Sequence, residues 1–119
     1  MNIENIKFKA KSLNSGKWIE GDLIRQSNGI YIRRHKNLSV IVDASTVCQF
    51  TGLKDCKGNE IWEHDLIHFV GYKPIGEVIW SEENYAFMVA SGNEPLYWLS
   101  EVLEIGKIER VGNKFDKKK

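Results

Sequence analysis

The chain reads as a mostly β protein, an N-terminal meander followed by a small barrel in its C-terminal half, and three features carry that reading. Apolar residues recur with a period of two in short runs, as in Ile6-Lys7-Phe8-Lys9-Ala10-Lys11. Turn residues separate those runs at short, regular intervals, as in Ser27-Asn28-Gly29 and Ser81-Glu82-Glu83-Asn84. At 119 residues the chain is also long enough to bury one core without metals or disulfides.

The first strand presents Ile6, Phe8 and Ala10 on one face and three lysines on the other. Leu13-Asn14-Ser15-Gly16 turns the chain, and Lys17 to Gln26 returns as a second strand with Trp18 and Ile24 inward. Gly21-Asp22 in its middle invites a bulge or bend. Ser27-Asn28-Gly29 is a hairpin turn, because Asn and Gly accept positive φ at little cost, and Ile30-Tyr31-Ile32-Arg33 opens the third strand. Lys36-Asn37 closes the next hairpin, Leu38 to Val42 is a fourth strand, and Asp43-Ala44-Ser45-Thr46 makes one helical turn or a tight loop.

The C-terminal half continues in the same idiom. Asp65 to Val70, Ile75 to Trp80 with Val78 and Trp80 on one face, Tyr85 to Ala90 and Pro95 to Leu99 read as strands. Gly71-Tyr72-Lys73-Pro74, Ser81 to Asn84 and Ser91-Gly92-Asn93-Glu94 turn between them. Ser100 to Leu103 bridges as a helical turn into a last strand, Glu104 to Arg110. Strands at this spacing predict an SH3-like or OB-like five-stranded barrel. The expected organisation is one domain over 1–112, with an N-terminal β part at 4–48, a turn segment and barrel at 49–112, and a flexible lysine-rich tail at 113–119.

Between the halves lies Gln49 to Ile67, QFTGLKDCKGNEIWEHDLI, with turn signals at Thr51-Gly52 and Asp55-Cys56-Lys57-Gly58-Asn59. Thr51, Gly52, Asp55, Gly58, Glu60 and Asp65 read as the structural residues of a scaffold turn. This stretch closely resembles the signature of the YopX family, small proteins of phages and prophages in Gram-positive bacteria. Ile6 to Ala10 is similar to the family's opening strand, Gly76-Glu77-Val78-Ile79-Trp80 to its G-x-V-x-W strand, and Leu103 to Ile108 to its closing L-E-x-I-G-N-I. His64 stands where the family usually has Gly, Lys11 where it has Trp and Lys107 where it has Asn. The resemblance implies a phage or prophage accessory protein and no assigned reaction.

Composition narrows the function classes. A formal charge of only +1 argues against a dedicated polyanion binder. Cys48 and Cys56 are not a CxxC pair and read as ordinary small residues, since a zinc site wants four converging ligands. Charges at Glu4, Lys7, Lys9 and Lys11 rule out a signal-peptide core there, and no run approaches a spanning helix, so a cytoplasmic protein without membrane contact is expected.

His64-Asp65-Leu66-Ile67-His68 has the two-histidine spacing of H-E-x-x-H zinc proteases, with Glu60 one helical turn upstream. That chemistry requires a helix, and Gly58-Asn59 and the strand-like run after Asp65 oppose one, so no metal, cofactor or catalytic residue is expected. Asp55, Glu60, Glu63 and Asp65 form an acidic cluster, read as acceptors for turn N–H groups rather than as an acid and base pair. Arg33, Arg34 and Lys36 at a hairpin tip, with Arg25 and Tyr31, form a candidate nucleic-acid contact. Six aromatics, Trp62, Trp80, Tyr85, Phe87, Tyr97 and Trp98, exceed what so small a barrel hides. The leading expectation is a non-enzymatic protein-interaction module that self-associates or docks on a phage or host protein, with nucleic-acid binding as the alternative.

Overall fold

Gly21 sets the shape of the first half of the chain. It sits in a long strand at φ +156°, and a Cβ there would lie 2.1 Å from the Arg33 carbonyl oxygen, so two backbones meet where no side chain fits. In the computed structural model, which describes residues 2–35, 38–70, 76–91 and 94–116, this strand changes partners at that point. Two compact units, Met1–Phe50 and Thr51–Lys119, make up the chain. The fold is mostly β and built on two antiparallel sheets.

In the first unit β1 (Phe8–Lys11), β2 (Trp18–Gln26), β3 (Gly29–His35), β4 (Leu38–Val42) and the start of β5 (Cys48–Lys54) follow the sheet order β4-β3-β2-β1-β5. The early half of β2 pairs with β1, ending at Phe8↔Gly21, and the late half pairs with β3, beginning at Asp22↔Arg33. Gln26↔Gly29 closes the hairpin over Ser27-Asn28, and of the three turn residues Gly29 alone takes a positive φ, +148°. Lys36-Asn37 lies outside the described residues. The sheet curls until one bridge, Ser12↔Val42, joins the end of β1 to β4. Asp43 caps the 3-10 turn Ala44–Thr46 by accepting from Ser45 N at 3.0 Å, and the Thr46 hydroxyl accepts from Lys11 N at 2.9 Å.

The core of this unit is Ala10, Ile32 and Val42, packed with Phe8, Ile19, Leu23, Ile30 and Val47. The inward face of β2 is therefore Ile19 and Leu23, one residue out of step with the expected Trp18 and Ile24, and a one-residue slip exchanges the faces of a strand. The pairs Ala10↔Ile19 and Lys11↔Trp18 explain the difference: Trp18 shares the lysine face of β1, where the Lys9 and Lys11 ammonium groups lie 4.6 and 5.4 Å from its ring centroid. Lys9, expected in solvent, is only 6% exposed. Ile6, expected beside Phe8 and Ala10, precedes β1 as the C-cap of the 3-10 turn Ile3–Asn5 and is exposed.

The second unit holds the rest of β5, β6 (Glu60–Trp62), β7 (Asp65–Phe69), β8 (Gly76–Ser81), β9 (Ala86–Ser91), β10 (Glu94–Trp98), α1 (Leu99–Ile105) and β11 (Ile108–Asn113). Its five-stranded sheet runs β10-β9-β8-β7-β11. One face packs Ile67, Val78, Val89 and Ile108 with Ile61 and with Leu99 and Val102 of α1. Leu99, Val102 and Leu103 repeat at helical spacing, so α1 takes Leu99 from the expected strand and outlasts the expected turn Ser100–Leu103. The last strand begins at Ile108, not Glu104, and pairs with β7. Because α1 carries the chain to the β7 edge, β10 and β11 are opposite edges of the sheet, and among the described residues no pairing joins them into a closed SH3-like or OB-like barrel. Residues 71–75 and Gly92-Asn93, where turns are expected, lie outside the described residues, as do 117–119. No helix among the described residues is long and apolar enough to cross a membrane.

Gly21→Ala drives a methyl group into the Arg33 carbonyl and is expected to lower stability by about 3 kcal/mol, the upper part of the range for overpacking. Chemical denaturation measures it, and a loss below about 1 kcal/mol would show that the strands separate without cost.

Candidate functional site

The residues singled out in Gln49 to Ile67 converge on β11. Asp55 opens the turn after β5 and is 7% exposed. Its Oδ1 accepts from Lys57 N at 2.9 Å and Asn59 N at 2.8 Å, and its Oδ2 accepts from the Asn59 side chain at 3.2 Å and from Arg110 N at 2.8 Å. The Ile108 carbonyl accepts from Cys56 N at 2.9 Å, so the turn covers the outer edge of β11 as well as reversing its own chain. Gly58 supplies the positive φ the reversal needs, +86°. Thr51 and Gly52, expected in a turn, lie within β5, where Gly52 takes φ +83° and the Thr51 hydroxyl donates to the Ile61 carbonyl at 2.7 Å. Glu60 is half-buried in β6.

Asp65 is the centre of the network and has no exposed surface. Its Oδ2 accepts from Trp62 N at 2.7 Å and Arg110 Nε at 2.8 Å, and its Oδ1 accepts from Asn113 Nδ2 at 2.9 Å. The same Asn113 amide donates to the Glu63 carbonyl at 3.2 Å. In a regular strand Arg110 and Asn113 face opposite ways, but a bulge between Arg110 and Gly112 adds one residue and turns both toward Asp65. Arg110 and Asn113 escaped the reading of the sequence because their partner lies more than forty positions away. Gly112 inside the last strand was the available signal. Asn113 is thus not the start of a flexible tail: it is 3% exposed, its side chain accepts from Phe115 N at 2.9 Å, and its own N–H donates to Asp116.

His64 and His68 do not share a helix. His64 is in the turn between β6 and β7 at φ +70°, a conformation that suits the glycine usual at this place in the resembling family. Its Nδ1 lies 2.8 Å from Glu77 and its Nε2 3.7 Å from Glu63, and its ring meets Phe115 edge-on at 5.2 Å. His68 in β7 lies 3.1 Å from Glu109, which Lys57 also pairs. The Lys57 hydrogen bond, followed by that of His68, holds the Glu109 carboxyl below its usual range, and Glu109 raises the Lys57 ammonium in turn. His64 is held by Glu77 and Glu63 and His68 by Glu109, and among the described residues no three His, Cys, Asp or Glu side chains group as metal ligands. Cys48 is buried, where its Sγ donates to the Thr46 carbonyl at 3.3 Å, Cys56 is exposed, and neither is in a disulfide.

The basic residues of the first unit do not form one contact. Arg25 opposes Ile30 and so shares the face of the core strand residues, whereas Tyr31 and Arg33 lie on the other face, with Asp22 directly opposite Arg33. Arg33 and Arg34 are exposed, Tyr31 is half-buried, and Lys36 lies outside the described residues.

Together these features define an antiparallel β protein whose polar cluster is a joint between a turn and a strand. The chain belongs to the YopX family, whose model, described as YopX protein, matches residues 1–118. No curated protein matches it.

Burial pushes the Asp55 carboxyl up, but the N–H groups of Arg110, Asn59 and Lys57 and the Asn59 amide outweigh it and hold the carboxyl below its ordinary value. Its contribution is therefore complete above the unfolded value near pH 4 and is lost as pH falls through the lower folded value. Asp55→Asn should cost about 2 kcal/mol at pH 7 and less as acid is approached, so the two stability curves converge below about pH 4. Parallel curves would overturn this. Gly58→Ala, with open space around the Cβ, should cost only the backbone strain, about 1 kcal/mol by thermal melt.

Proposed function

We propose that the protein is a non-enzymatic, self-associating interaction module of phage or prophage origin, acting in the cytoplasm of a bacterial host on a phage or host protein. The supporting observation is the set of aromatic rings left at the surface of the second unit: Tyr85 is 78% and Tyr97 54% exposed, and Trp80 and Trp98 are exposed as well. The non-enzymatic part of the reading rests on Asp55 and Asp65, whose oxygens accept from backbone and side-chain donors at every contact named above, an arrangement that braces a fold. Light scattering on the purified chain at tens of micromolar should give a mass well above the 13.7 kDa of one chain. A mass of one chain refutes self-association.

A second reading, nucleic-acid contact through the β3 end, is favoured by the exposure of Arg33 and Arg34 and by Tyr31 sharing the face of Arg33. Under it, binding of a generic oligonucleotide is weak, falls steeply between roughly 50 and 200 mM salt, and loses that slope when both arginines become alanine. No binding at the lower salt ends this reading.

A further inference from the structure

Charge is divided unevenly along the chain. Through Phe50 there are eight Lys and Arg against four Asp and Glu, and from Thr51 onward nine against twelve. The imbalance is sharpest between Gly76 and Gly106, a stretch with six glutamates and no lysine, arginine or histidine. This stretch is β8, β9, β10 and α1, and it carries the exposed aromatics.

Register gathers the exposed groups at one end of the sheet. Trp80 pairs with Phe87 and Trp98 with the adjacent Met88, so the end of β8, the start of β9 and the end of β10 lie side by side at a strand spacing of about 5 Å, with Trp80 and Phe87 on one face and Trp98 on the other. The Trp80 and Phe87 rings meet edge-on at 5.1 Å, which leaves the outer side of Trp80 open. Glu82 and Glu83 in the turn above them are exposed, as are Tyr85 and, where α1 begins, Glu101. Carboxylates beside open indole and phenol faces, without a cation among them in the sequence, are complementary to guanidinium groups, which pair with carboxylates and stack on rings at once. A polyanion is repelled from the same surface.

We propose that this acidic, aromatic end of the second unit binds the Arg33-Arg34 tip of a second copy of the chain. The proposal rests on the self-association reading and names its contact. Arg33 and Arg34 are exposed at the end of β3 in the basic half of the chain, so the molecule carries both the cationic group and its receptor. The two surfaces differ, so each contact joins the acidic, aromatic end of one copy to the basic tip of another, and every chain offers one of each.

Light scattering with charge-reversed variants tests this. The parent's association should weaken by roughly tenfold or more between about 50 and 500 mM sodium chloride, because the contact is between exposed charges. Arg33→Glu with Arg34→Glu, and separately Glu82→Lys with Glu83→Lys, should each give single chains with the parent's circular dichroism spectrum. An equimolar mixture of the two should regain mass, since each supplies the surface the other lacks. Arg33→Ala with Arg34→Ala gives the same loss without added acid and serves if the reversal disturbs folding. A parent that associates equally in both salts, with variants that keep its mass, overturns this contact and leaves self-association standing. A parent that is a single chain in both salts overturns both.

Discussion

The Asp65 carboxylate has no exposure and three donors: a backbone N–H three residues before it and two side chains of the last strand. An ionised carboxylate without water is costly unless its oxygens are matched, and removing one partner of such a group typically costs about 3–5 kcal/mol. The position of β11 beside β7, the bulge at Gly112 and the route of the chain after Asn113 all follow from keeping those donors in place. Asp55 repeats the device at the edge of the sheet, where its Oδ2 takes the Arg110 N–H and its Oδ1 shapes the turn that shields the strand.

Local chemistry made much of this legible. The Ser27-Asn28 hairpin, the left-handed Gly58, the Asp55 turn and the strand at Asp65 are dictated by residues within a few positions of one another. Parity in β2 was not legible. Trp18 looks like a core residue by size, but lysine stems and ammonium groups cover it well enough to let it face away from Ala10. The closing of a sheet was misplaced for a similar reason. Turn spacing reveals how many strands there are and nothing about which edge the last one joins, and that choice was made by α1 and by Asp65.

The polar site and the surface groups serve different ends. Within Gln49 to Ile67, Asp55, Gly58 and Asp65 are spent on the turn, the strand edge and the buried carboxylate. The groups that distinguish an exterior, Arg33, Arg34, Trp80 and Tyr85 among them, lie outside that stretch on strand ends and turns. Those groups take no part in the joint, and within the Gln49 to Ile67 stretch itself His64 takes a left-handed conformation and is accommodated by Glu77, Glu63 and Phe115.

The dependence of Asp65 on Arg110 and Asn113 also has an order in time. Synthesis delivers the carboxylate first and its two side-chain donors more than forty residues later. Until they emerge, the acceptor has only the nearby Trp62 N–H and is best left in water, which keeps β7 from burying its first residue early. A chain cut short before β11 retains every hairpin of the first unit and still lacks the ligands its charge requires. An interrupted copy is left with an acid that has one donor in place of three where the second unit should close over it.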